Sequence, residues 1–145
     1  MSQKETAIKA VKILVSKNQG FQELQGKEKS NLMVAFAQRG MVLYGQAYDA
    51  VKCKKKIDFS DISDIVNKLD SITVYEIKST NRKISKDFKN YFFDLTTAEL
   101  LVAQSLKGKF RFVFVNTTTG TFLELTLNQI FAKAKSIYPK WAIRF

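Results

Sequence analysis

The sequence predicts a single α/β domain with a mixed central β-sheet flanked by helices. Three observations carry this. The chain has 145 residues, the size of one domain with a real core. Apolar segments of helical period alternate with β-branched and aromatic runs along its whole length. One Pro and six Gly leave little room for linkers, and no internal repeat or low-complexity tract interrupts the pattern.

Residues 6–16 read as a helix, because Ile8, Val11, Ile13, Leu14 and Val15 form a broad apolar face. Asn18-Gln19-Gly20 stops it. A second helix begins at about 21 or 27 and ends at Arg39-Gly40. Residues 41–44 predict a short strand, Gly45-Gln46 a turn, and 48–54 a second strand. The basic run 52–56 is a solvated strand end or a phosphate contact. Residues 58–68 carry Phe59, Ile62, Ile65 and Val66 at helical spacing, so a short helix falls between strands. Ile72–Thr80 is β-branched and aromatic and reads as the third strand. Residues 81–89 are a basic loop and 92–95 are extended. Thr96-Thr97-Ala98-Glu99 matches a capping box, opening a helix to about Leu106 that Gly108 ends. Residues 110–116 are a strongly apolar strand, 117–120 a turn, 121–125 a returning strand and 127–137 a final helix. Residues 141–145 are expected as an edge segment.

Composition narrows the chemistry. Lys and Arg number 24 against 13 Asp and Glu, a net charge of +11. Such an excess favours polyanions, nucleic acid first and an anionic membrane surface second. The single cysteine, Cys53, rules out an intramolecular disulfide and a cysteine zinc cluster, and reads as a small core residue on a strand. Histidine is absent, which excludes Ser-His-Asp and Cys-His nucleophilic mechanisms and any nuclease that uses His as base or ligand. Residues 1–5 are polar and show no signal-peptide pattern. No segment reaches the length of a membrane span. A cytoplasmic chain with no membrane partner is expected.

The most informative segment is the third strand. Side chains alternate faces along a strand, so Glu76 and Lys78 point the same way with Ile72 and Val74, while Ile77 points opposite. A carboxylate and an ammonium on an otherwise apolar face are costly to bury without a purpose. Together they supply an oxygen ligand for a hard cation and a positive charge near an attacked phosphate.

The order of elements and these residues resemble the PD-(D/E)xK superfamily, the restriction-endonuclease-like nucleases. The resemblance covers about residues 27–115. It rests on the helix ending Phe36-Ala37-Gln38-Arg39-Gly40, on Tyr48-Asp49-Ala50-Val51, on Val74-Tyr75-Glu76-Ile77-Lys78-Ser79-Thr80, and on Phe93-Asp94-Leu95-Thr96-Thr97-Ala98-Glu99 leading into a helix and an apolar strand. It implies an αβββαβ core with extra N- and C-terminal helices. It also implies a metal-dependent endonuclease in which Asp49, Glu76 and the carbonyl of Ile77 hold Mg²⁺, with Mn²⁺ as a substitute, and Lys78 orients the attacking water. Asp49 is favoured as the first acidic ligand, Asp64 is its rival at a more usual spacing, and Asp61 is third. Asp61 and Asp64, three apart, also fit a solvated helix face. Glu28, on a stripe with Leu24, Leu32 and Ala35, is a further acidic candidate on the first core helix. Gln104 on the crossover helix is a candidate contact to DNA or to water on the metal.

Arg82, Lys83, Lys86 and Lys89 follow the Glu76 strand directly and are expected to hold the DNA backbone, with Lys54 and Lys55 as a second basic cluster. Duplex cleavage needs two active sites, so a homodimer or larger assembly is expected. Two rivals stand beside this reading: a non-catalytic basic nucleic-acid-binding protein of the same fold, and a basic interaction domain with a chance E-x-K.

Overall fold

The computed structural model describes residues 3–17 and 20–145. The expected stop at Asn18 and Gln19 lies outside them. Among the described residues the α-helices and strands follow in order: α1 (Gln3–Ser16), β1 (Phe21–Gln22), α2 (Lys27–Gln38), β2 (Ala50–Cys53), α3 (Ile62–Asn67), β3 (Ile72–Thr80), α4 (Thr97–Leu106), β4 (Phe110–Asn116), β5 (Phe122–Leu125) and α5 (Leu127–Lys133). The five strands form one sheet in the order β1-β2-β3-β4-β5. All neighbours pair antiparallel except β3 and β4, which are parallel. A parallel pair needs a crossover, and α4 supplies it. The chain is thus a single α/β domain with a mixed five-stranded sheet flanked by helices.

Period-2 alternation assigns the two faces. Tyr75, Ile77, Val113 and Val115 pack with Phe21 and Ala50 against Ala10 and Leu14 of α1. On the other face Val51, Ile72, Val74, Phe110, Phe112 and Phe114 pack beneath α2, α3, α4 and α5 through Leu32, Phe36, Ile65, Val102, Leu106 and Ile130. β3 and β4 are largely buried on both faces, which is why β4 reads as a near-continuous apolar run. Cys53 sits on β2, partly buried against this core, and burial lifts its thiol to about 11.

Several sequence expectations need correction. Residues 41–44 form no strand. Leu43 is buried there, but the Val42 amide donates to Ser105 Oγ on α4 at 2.7 Å, so its hydrogen bond leaves the sheet. The strand beside β2 at that edge is instead Phe21–Gln22, paired with Lys52 and Val51 and held by the Phe21 ring against Tyr75 and beneath the Lys52 ammonium. The last helix ends at Lys133 rather than 137, and 141–145 pair with nothing as a strand. Among the described residues no helix is long and apolar enough to cross a membrane.

Candidate active site

The site is built where β2 and β3 part. Their ladder ends at Ala50↔Tyr75. Just beyond it, the Asp49 amide donates to the Tyr75 carbonyl at 2.8 Å. The Asp49 side chain then takes the place of the next ladder acceptor, with Oδ2 receiving the Ile77 N–H at 2.9 Å. That bond fixes the Asp49 carboxylate, whose charge is among those that act on Glu76.

Glu76 and Lys78 share the β3 face toward α4, and α4 delivers a third carboxylate. Thr96 caps this helix and forms a full capping box with Glu99. Glu99 Oε1 accepts the Thr96 N–H at 3.1 Å and also the Lys78 ammonium at 2.7 Å. Lys78 Nζ lies 3.7 Å from Glu76 Oε1. Two buried carboxylates, Glu76 and Glu99, therefore share one ammonium. Glu76 Oε2 is buried with no donor. Burial first, then the Asp49 and Glu99 charges, raise the Glu76 pKa well above the carboxylate range; Lys78 opposes them. The pattern is an acidic cluster short of positive charge, and an added cation would relieve both the repulsion and the orphaned oxygen. Among the described residues no group of three or more His, Cys, Asp or Glu side chains is arranged to hold a metal ion. Asp49 and Ile77 also line a cleft of about 260 Å³ against Ala7, Ile8, Val11 and Lys12 of α1 and Glu23.

The remaining candidates are dispersed. Asp64 accepts the Asp58 N–H at 2.8 Å and pairs with Lys68 at 2.8 Å, which hold its carboxyl below the usual range. Asp61 caps α3 by accepting the Ser63 N–H. Both are engaged by neighbours within residues 58–68, whereas the aspartate whose charge acts on Glu76 is Asp49. Glu28 is exposed. The polar residue on the buried face of α2 is Asn31, which donates to the Phe59 carbonyl at 2.9 Å. Gln104 is exposed on α4.

Arg82, Lys83, Lys86 and Lys89 are all exposed at the end of β3 that carries Lys78. Their loop is pinned by the buried Phe88 and by Asn116 Nδ2 donating to the Arg82 carbonyl. Lys54 and Lys55 are exposed too, but β2 runs antiparallel to β3 with Cys53 opposite Ile72. They therefore sit at the other end of the sheet, roughly 26 Å along the strand at about 3.3 Å per residue. The one residue of the cluster that sequence reasoning missed is Glu99. It shows in the sequence as a capping glutamate, and nothing local says that the same oxygen reaches Lys78. Comparison of the chain with family models, with curated proteins and with solved structures finds no match to any of them.

Proposed function

We propose that the chain is a metal-dependent endonuclease that hydrolyses phosphodiester bonds in DNA, with a restriction-endonuclease-like core. The observation that carries this is the buried Glu76 oxygen that lacks any donor, beside the ammonium of Lys78 and under the charges of Asp49 and Glu99. The donor set fits a hard divalent cation: Mg²⁺ takes one or two carboxylates and keeps several waters. Asp49, Glu76 and the Ile77 carbonyl would hold Mg²⁺ or Mn²⁺. The ion, when bound, supplies an acidified water and neutralises charge on the phosphate.

The chain's own groups do the rest. The Ile77 N–H fixes the Asp49 carboxylate. Glu99 fixes the Lys78 ammonium at 2.7 Å, so that Lys78 orients the attacking water and meets charge developing on the phosphate. The exposed loop 81–89 holds the DNA backbone at the same end of the sheet. Two copies would act on the two strands of a duplex.

The test is nicking of supercoiled plasmid. Cleavage is expected with Mg²⁺ or Mn²⁺, with loss on chelation and in Glu76→Gln and Lys78→Met. DNA binding without cleavage under every metal condition would establish the non-catalytic nucleic-acid binder instead.

A further inference from the structure

Helix α5 stops at Lys133, and Ala134 turns to extended backbone at φ −64° and ψ 131°. No regular element follows. Pro139, the only proline, bars a helix here and biases Tyr138 toward an extended conformation. Yet the segment carries Tyr138, Trp141 and Phe145 on its surface, with Tyr138 68% and Trp141 87% exposed. Lys135, Lys140 and Arg144 alternate with them, and residues 134–145 contain no Asp or Glu. The segment is tethered in place. Lys135 Nζ donates to Asn90 Oδ1 at 3.0 Å, and Lys140 Nζ to Asp94 Oδ2 at 2.8 Å. Both acceptors lie on the connector between the basic loop 81–89 and α4, the helix of Glu99. Phe92 on that connector is 72% exposed.

Exposed aromatic groups alone mark a partner of any kind. Here they alternate with cations, Asp94 is paired with Lys140, and the connector that carries Asn90 and Asp94 leads back to the exposed Arg82, Lys83, Lys86 and Lys89, with Asp87 among them bonded to Ser85. That combination suits a polyanion that also presents flat π-faces. A duplex hides its base faces, whereas single strands, loops and frayed ends expose them. We propose that residues 134–145, with Phe92, form a platform on which unpaired nucleic-acid bases stack. The preferred nucleic acid then carries a single-stranded stretch next to the backbone held by the loop 81–89. The inference rests on the nucleic-acid part of the proposed function and is independent of cleavage.

Trp141 is the only tryptophan, so its emission reports on this segment alone. The wild-type protein is titrated at low salt with a labelled oligothymidine and with a duplex of equal length, following Trp emission and label anisotropy together. Saturable quenching by the single strand is expected, with little response to the duplex. Tyr138→Ala combined with Trp141→Ala should weaken single-strand binding by about tenfold or more and leave duplex affinity within about twofold. Single-strand binding with silent emission, or with the double variant unimpaired, overturns the platform while leaving the DNA reading intact. An emission change that follows protein concentration without DNA assigns the surface to a second copy of the chain, and one that requires anionic vesicles assigns it to a membrane; either overturns the proposal. Failure of both DNAs to bind removes the platform and the DNA reading together.

Discussion

Replacing Glu76 by Gln should stabilise the metal-free protein while removing its activity. Glu76 lies 9% exposed against two further carboxylates, with one oxygen unpartnered, and its pKa is raised from 4.5 by burial, Asp49 and Glu99. The fold therefore binds the Glu76 proton more tightly than the unfolded chain does. Stability from this group is fully present below the unfolded value of 4.5 and is lost as pH rises through the folded one. Between 4.5 and pH 7 the loss reaches a ceiling of about 3 kcal/mol, at about 1.4 kcal/mol for each pH unit. Glutamine keeps the shape of the protonated acid and never ionises. At pH 7 without metal, Glu76→Gln should gain about 1–3 kcal/mol, which at about 2–4 °C per kcal/mol for a chain of this size raises Tm by several degrees. The gain should shrink to nothing near pH 4. Thermal unfolding in chelator from pH 4 to 8, wild type against variant, measures it. An unchanged or lower Tm at pH 7, or a gap that does not close toward pH 4, would refute the reasoning.

Asp49→Asn and Lys78→Met should each lower cleavage by about a hundredfold or more, with the fold intact by circular dichroism and DNA affinity little changed by anisotropy. Glu99→Gln keeps a residue able to close the capping box but removes the anion that holds Lys78. Turnover should fall about tenfold with KM unchanged, whereas Glu99→Ala should in addition lose about 1 kcal/mol of stability with the cap, seen in urea unfolding. Neutralising Arg82, Lys83, Lys86 and Lys89 together should flatten the logarithmic salt dependence of DNA binding by about 3.6 if each contacts one phosphate. Neutralising Lys54 and Lys55, at the far end of the sheet, should change it far less.

Much of the fold was legible because burial on both faces leaves a strong local mark. β3 and β4 are long, β-branched or aromatic runs, and the capping box before α4 announces its first turn. The two-residue strand Phe21–Gln22 has no period to detect, and its pairing is set by Lys52 and Tyr75, distant in sequence. Residues 41–44 alternate as a strand would, but the partner for the Val42 amide is a serine on α4. The apolar Ile137 makes the sequence predict a longer last helix than the structure has. It stops at Lys133, and Ile137 is left exposed with no core beneath it. At the site, Glu76 and Lys78 follow from strand alternation alone. The place of Asp49 depends on where the β2–β3 ladder ends, and that of Glu99 on where α4 lands. Lys54 and Lys55 look equivalent to the loop 81–89 in the sequence, and only the antiparallel register separates them.

The central claim is that Asp49 and Glu76 together hold a divalent cation. The direct measurement is a crystal structure of the protein with DNA and Mn²⁺, located by anomalous scattering. One peak is expected between the two carboxylates, about 2.1 Å from an oxygen of each, and absent in Glu76→Gln. A peak bound elsewhere, or no peak between them while DNA occupies the loop 81–89, would contradict it.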